Sequence, residues 1–449
     1  MTTLTHNRVL MLLENHAYPH DVRVRREADA LASAGYRVTV ICPRNPGQPF
    51  RESVNGVHVL RYPPPRVPTG FLGYLWEYGY SLVASFVLSI MLFLGDGFDV
   101  IHAHNPPETF VFIALFYKLF GKRFIFDHHD LSPEMYRARF PGRGNRAVHG
   151  TLAWLERLTC RVADHVIATN ESYKRVEMQR DRVPEAHITV VRNGVGLEAL
   201  NFIEPDRALR QKGKTIIAYV GVTGYQDGVD YLLRSLKHLL SDLGRSDFYC
   251  LVIGDGDAWP QLKRLTAELG LEDHVWLPGF IFGKQLRAYL AAADICVDAA
   301  PSNAYNDRST ACKIMDYMAL GKPIVVFDLP EHRFSAEQAA VFVPPNDERA
   351  FAAALSQLMD DPRQRSWRGA CGMRRIKTQL AWEYSVSALL KAYRTVLPSK
   401  NSKSEGLRTK QPASLVATTL ARAVHLSPQP PATEDAVGAV EPTAAAPAE

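Results

Sequence analysis

The sequence predicts two doubly wound α/β domains, each a parallel sheet covered by helices on both faces. Three observations carry this reading. Apolar, β-branched runs alternate with helix-length amphipathic segments almost from the first residues. The alternation pauses near Asn193-Gly194, passes through the polar stretch Leu200–Gly213, and restarts at Thr215. A chain of 449 residues also exceeds what one hydrophobic core ordinarily fills.

In chain order, Arg8–Glu14 reads as a strand, Asp21–Gly35 as an amphipathic helix and Arg37–Pro43 as a second strand. Val57–Tyr62, Asp99–His104, Arg123–His129 and His165–Asn170 continue the first sheet. Strands this apolar, spaced by helices, belong in a parallel sheet buried on both sides. The second sheet is expected from Thr215–Gly221, Tyr249–Gly254, Val275–Pro278, Ile295–Ala299 and Pro323–Asp328. The predicted organisation is therefore 1–200, a Rossmann-like domain; 201–378, a second Rossmann-like domain; and 379–399, a helix with apolar positions at helical spacing. Residues 400–449 are rich in Ser, Lys, Pro, Ala and Thr and are expected to be disordered.

Composition narrows the partners. A net charge of +5 with 22% charged residues is too mild to argue for nucleic acid. The six cysteines show no Cys-x-x-Cys pair and sit mostly in apolar runs, as reduced, buried thiols of a cytoplasmic protein do. The apolar run Val9–Leu13 is too short for a secretory signal and is followed by Glu14, Asn15 and His16. Tyr80–Leu94 is more apolar, but falls short of the ~20 residues that span a bilayer. It is expected as a buried helix packed on the sheet; the alternative is an interfacial helix meeting a lipid acceptor on the inner face of the membrane. Lys118, Lys122, Arg123, Arg137, Arg139, Arg143 and Arg146 would add attraction to anionic lipid.

Ligands of doubly wound sheets bind at the carboxyl ends of the strands. The strongest local case there is Asn303–Gly321. Ser309 or Thr310 suits the N-cap of a helix running to Leu320 and stopped by Gly321. Arg308 and Lys313 at its start oppose the helix dipole by ~0.3–1 kcal/mol, and a bound phosphate would remove the conflict. Asp316, one turn beyond Lys313, could accept hydrogen bonds from a ribose diol. In the first domain, Asp127-His128-His129-Asp130 ends a strand. Carboxylates beside imidazoles suit acid–base work or the binding of sugar hydroxyls. Zinc is the competing chemistry, but adjacent histidines on a strand point apart and no third ligand is evident, so no metal is expected. Two glycine turns, Gly221–Gly224 and Gly254–Asp257, allow close approach of backbone to a ligand. Asp21, Arg23, Arg25 and Arg26 follow the first turn; a solvated helix face explains most of them, and service at the site is the alternative for some.

Taken together, HDVRVRREADALASAGYRVTVICP, DVIHAHNPPETF, FDHHDLSPE, VVRNGV, YVGVTGYQDGVDYLL, VIGDGD and KIMDYMALGKPIVVFDLPEH resemble the retaining glycosyltransferases of family 4, which have the GT-B fold. The likeness runs from Arg8 to Leu397. It implies transfer of a sugar from a nucleotide-sugar donor to a glycan or lipid-linked acceptor, without cofactor or metal, of the kind used in cell-surface polysaccharide synthesis. It places Asp316 on the ribose, Ser309–Ala311 along the sugar and diphosphate, and His129 beside the transferred sugar. Asp130 and Glu134 fall in the same acceptor-side loop, while Gly221, Gly224, Gly254 and Asp255 fall on the donor side. The residues Gln379–Leu397 match the helix that crosses back to the first domain. The first acid of the family's Glu-seven-residues-Glu pattern is Arg308 here, with Asp307 adjacent. The usual phosphate-binding Arg and Lys fall near Val222 and Asp227, which leaves Lys313 and Arg308 as the expected substitutes. A nucleotide-sugar 2-epimerase and a silent sugar-nucleotide-binding protein are the rival readings.

Overall fold

The computed structural model describes residues 7–65, 71–140, 142 and 144–397. The expected disordered tail and Arg143 lie outside the described residues.

The first sheet contains β1 (Arg8–Leu12), β2 (Arg37–Pro43), β3 (Arg51–Val54), β4 (Val57–Tyr62), β5 (Val100–His104), β6 (Arg123–His128), β7 (His165–Ala168) and β8 (Ile188–Val190). Their order is β3-β4-β2-β1-β5-β6-β7-β8, parallel except for the β3–β4 pair. The second sheet contains β9 (Thr215–Val220), β10 (Phe248–Ile253), β11 (Val275–Gly279), β12 (Ile295–Asp298), β13 (Ile324–Phe327) and β14 (Ala340–Val343). Its order is β11-β10-β9-β12-β13-β14, with every ladder parallel. The strand order reverses between β1 and β5 in one sheet and between β9 and β12 in the other. These are the switch points where crevices open at the strand ends.

Each sheet is buried on both faces. In the first, Leu10, Leu12, Phe124 and Phe126 pack beneath one helical layer, and Val9, Met11, Val38 and Val40 beneath the other. The second layer includes Leu389, Ala392 and Tyr393 of the Trp382–Val396 helix, which follows the second sheet in sequence but closes the core of the first. The segment Val191–Val195 lies between the sheets and is held by that same helix: Ser385 Oγ donates to Arg192 O at 2.9 Å, and Trp382 N to Val195 O at 2.9 Å.

Four expectations change. β3, β8 and β14 were not anticipated; two are edge strands of three or four residues and the third is a polar hairpin arm, too short for period-two patterning to register. The helix after Thr310 begins at Cys312, with Ala311 at its N-cap and no side-chain cap, so neither Ser309 nor Thr310 plays that role. Cys312 is exposed, whereas the other five cysteines are buried and free. The apolar segment expected over Tyr80–Leu94 is a 24-residue helix, Phe71–Leu94; it packs on the sheet layer through Leu88, Phe86 and Phe93, as expected, but leaves a second apolar side exposed. Its Trp76–Leu94 part is long and apolar enough to cross a membrane by length and composition.

Candidate active site

The donor-side crevice forms where β9 and β12 diverge. Gly221 follows β9 with φ 153° and Gly254 follows β10 with φ 144°, a region that glycine tolerates and bulkier residues do not. The two turns are stacked so closely that a Cβ on Gly254 would lie 1.8 Å from Gly221 O. A Cβ on Gly221 would come within 3.0 Å of the Lys313 side chain. Glycine at 221 and 254 therefore leaves space for the aliphatic arm of Lys313 to reach the strand ends. Gly224 and Asp255 belong to the same pair of turns: Gly224 N donates to Asp227 Oδ2 at 3.0 Å, and Gly256 N to Asp255 Oδ1 at 2.8 Å.

Lys313 is not the solvated helix-start cation that its position suggested. Its Nζ lies 3.2 Å from Tyr219 Oη and 3.4 Å from Asp298 Oδ1, over the Tyr219 ring. Burial alone would lower its pKa, but Asp298, Tyr219 and Asp227 outweigh that and raise it, so the ammonium is fixed. Burial disfavours the Asp298 carboxylate, yet Lys313 and His332 hold its pKa down at about 2. The uncapped amino end of the Cys312–Ala319 helix adds free first-turn amides beside this ammonium. The ammonium is balanced by the Asp298 carboxylate and lies at the strand ends, where the helix that carries it starts without a side-chain cap.

Asp316 is open to solvent but deeply walled in. Burial raises its pKa to about 6, against the pull of Arg26 and Arg287. Arg308 lies before the helix and its guanidinium donates to Ala304 O at 2.6 Å, within its own loop. Ser309 and Thr310 turn to the other domain instead: Ser309 Oγ meets Tyr173 Oη at 3.0 Å, and Thr310 Oγ1 accepts from Asn170 Nδ2 at 2.9 Å.

The facing wall is built at the ends of β5 and β6. Strand alternation sends His128 and His129 to opposite sides, as their adjacency predicted. His128 is sealed between Glu177 (3.0 Å) and Glu156 (3.4 Å). His129, with 15% of its side chain exposed, lies at the crevice with Nδ1 3.7 Å from Asp127 Oδ2. Burial would lower the His129 pKa, but Asp127 more than compensates and the net shift is upward. Asp130 accepts from Tyr305 Oη at 3.1 Å, a contact between the two domains, and burial raises its pKa. Glu134 is paired with Arg180 at 2.5 Å, which also holds Glu156.

Arg23 corrects the reading of its helix as a solvated face. It is 7% exposed and places a two-pronged fork on Asp127, with both contacts at 2.7 Å. It also donates to Val191 O at 3.0 Å and Asn193 Oδ1 at 2.6 Å. Beneath it, His104 Nδ1 meets Asp127 at 2.9 Å, His102 Nδ1 meets Tyr393 Oη at 2.8 Å, and Glu27 lies 3.7 Å from His102. Donor atoms of Glu27, His102, His104 and Asp127 gather within 4.8 Å of one another. The Arg23 guanidinium already occupies both Asp127 oxygens and lies 3.2 Å from Glu27, so this cluster is charge-compensated by an internal cation. Sequence reasoning named Arg23 but missed its burial, and missed Asn170, Tyr173, Asp298, Tyr305 and Glu331. The only signal was their position just after strands or in the loop before the Cys312 helix.

Two crevices, one with a fixed ammonium and helix amides and the other with an imidazole–carboxylate pair, define a GT-B glycosyltransferase architecture. The descriptions "Glycosyl transferase 4-like domain" and "Glycosyl transferases group 1" match residues 20–194 and 214–361. The chain belongs to the family-4-like glycosyltransferases. It is 26% identical over 352 residues to an uncharacterized glycosyltransferase of Methanocaldococcus jannaschii, covering 74% of this chain and 83% of that one. It is 24% identical to the 2-deoxystreptamine glucosyltransferase of Streptomyces kanamyceticus, covering 76% and 89%. Among solved structures, sucrose-phosphate synthase from Thermosynechococcus elongatus superposes with a TM-score of 0.72 at 19% identity, covering 87% and 98%. The Anabaena protein HepE in complex with UDP-glucose gives 0.66 at 14% identity, covering 87% and 100%.

Proposed function

We propose that this glycosyltransferase moves a hexose from a nucleotide-sugar donor to a glycan or lipid-linked acceptor, with retention of configuration, in cytoplasmic assembly of a cell-surface polysaccharide. The observation that carries the proposal is Lys313. It is a fixed cation beside uncapped helix amides at the β9/β12 switch point, where developing charge on a leaving diphosphate would be met by preorganised donors. Asp316 accepts from the ribose hydroxyls, with Arg26 and Arg287 favouring its ionised form. The Gly221 and Gly254 turns admit the diphosphate close to backbone, and Gly224 and Asp255 shape the rim. His129 faces the sugar, its charge and orientation set by Asp127. The positive charge at the seat is carried by Lys313 itself, so the reading calls for no divalent ion.

The test is NMR of the product formed from an α-linked nucleotide hexose, in EDTA. A new α-glycoside supports the reading. A β-glycoside, an epimerised donor, or loss of turnover in EDTA contradicts it. In the same assay Lys313→Ala should raise the donor KM about 10- to 100-fold, the loss of a charge-assisted hydrogen bond of about 1.5–3 kcal/mol. Unchanged kinetics would place the phosphates elsewhere.

A further inference from the structure

The crossover helix Phe71–Leu94 carries large apolar residues on its outer as well as its inner side. Ser81, Ser85 and Ser89, four residues apart, are buried beside Leu88. Ser89 Oγ meets Tyr117 Oη at 2.9 Å, and Ser81 Oγ donates to Glu14 at 3.4 Å. The outward stripe is Trp76, Val83, Val87, Met91 and Leu94, all more than half exposed. Leu82, Phe86 and Phe93 also pack inward, so large apolar groups lie on both sides, where the outer side of a solvated helix carries polar ones.

The stripe does not end with the helix. Phe93 and Phe120 pack at 5.4 Å, and Phe86 and Phe116 at 5.1 Å, so the neighbouring Val111–Lys118 helix and its following turn continue it. Leu119 (82%) and Phe120 (53%) are exposed there. An apolar surface continued over two helices is rare on a protein meeting only water. The charges around it lean basic. Glu77 is the sole charged residue of the Phe71–Leu94 helix; the adjoining segments carry Lys118, Lys122, Arg123, Arg146, Arg157 and Arg161, while their acids Asp96, Asp99 and Glu156 are paired with Arg37, Arg8 and Arg180. Asp164 neutralises Lys118 and Arg123 in part, while Lys122 lies over the Phe93 ring. The helix is the β4–β5 crossover, with its serines held by the sheet layer, so it lies along the domain surface. Its first half touches Glu14 just after β1, at the rim of the acceptor-side crevice.

We propose that this face docks on an anionic lipid surface, with Val83, Val87, Met91, Leu119 and Phe120 entering the acyl boundary and the basic side chains meeting the headgroups. Docking would bring the crevice rim against the membrane plane, where an acceptor on a lipid carrier is presented. Only that last clause rests on the function proposed above, because docking is measured without donor or acceptor.

The experiment is co-sedimentation of the full chain with vesicles of phosphatidylcholine alone or with ~30 mol% phosphatidylglycerol, beside light scattering of the free protein. The expected result is binding to the anionic vesicles at least about tenfold stronger than to the neutral ones, weakened by salt. Val87→Asp with Met91→Asp should reduce binding about tenfold or more while leaving the melting temperature and the hydrolysis of a soluble donor unchanged, since both side chains face outward. Equal binding by the variant, or no binding to either vesicle, overturns the proposal. So does a wild-type dimer that the same variant converts to monomer, which would make the face a contact between copies.

Discussion

At the scale of single residues, the site depends on how each charge is held. Asp127 is the hub: Arg23 grips it from one side, His104 from a second, and His129 lies against a third. Burial opposes its charge, but Arg23 and the histidines keep its pKa well below the ordinary carboxylate range. Asp127→Asn would remove the group that outweighs the burial of His129. The imidazole pKa should then fall, and the alkaline limb of the kcat profile should shift to lower pH if His129 is charged in turnover. NMR titration of His129 checks the first step independently of activity. Asp316 gives a second pH dependence. Its carboxyl titrates at about 6, and the ionised form accepts from the ribose, so donor KM should rise as pH falls through about 6. Asp316→Asn should show a raised KM with that dependence flattened; a dependence that persists would assign it to another group.

How much could be read in advance varies residue by residue. Lys313, Asp316 and His129 were legible because each follows a strand or opens a helix in a chemically suggestive run. Arg23 was not, because a basic stretch on an amphipathic helix carries no mark of burial until Asp127, 104 residues away, is brought beneath it. Arg308 is held within its own loop, where one N–H of its guanidinium goes to Ala304 O, a local bond that charge counting cannot reveal.

At the scale of elements, strand periodicity located the long strands to within a residue or two, while the short edge strands escaped notice. The Cys312 helix shows why cap prediction misled. Ser309 and Thr310 are good cap residues, but Tyr173 and Asn170 of the facing domain compete for their hydroxyls, and the helix starts after them without a cap. That choice leaves amides free where a ligand can use them. The glycine before the Val229–Ser241 helix is a tightly constrained element boundary. Gly228 has φ 72°, and a Cβ there would lie 2.0 Å from Ala299 O, the backbone just after β12. Gly228→Ala therefore adds left-handed strain to a backbone clash and should destabilise by about 2–4 kcal/mol. A thermal melt should show a drop of several degrees; an unchanged midpoint would mean that the β12 end can yield.

At the scale of the molecule, function rests on how two sheets are set across a crevice. Asn170 donates to both Arg308 O (2.8 Å) and Thr310 Oγ1 (2.9 Å), Tyr305 reaches Asp130, and Ser172 Oγ donates to Glu331 Oε1 at 2.6 Å. These bonds align the His129 wall with the Lys313 seat. Tyr173→Phe removes the Ser309 contact but keeps the Asn170 cap of its helix, and should lower kcat about three- to tenfold, the loss of one net hydrogen bond that positions rather than binds, with a melt close to that of the parent. A parent-like kcat would show that alignment does not need the Ser309 contact. The two-domain plan was legible because the alternation stops and restarts. The contacts between domains were not, since nothing in a linear pattern records which loops meet across a gap.

The most direct test of the central claim is a crystal structure of this chain with UDP or GDP. The account predicts diphosphate oxygens within hydrogen-bonding distance of Lys313 Nζ and the first amides of the Cys312–Ala319 helix, with the ribose on Asp316. A nucleotide seated in another crevice, leaving Lys313 bound only to Tyr219 and Asp298, would contradict it.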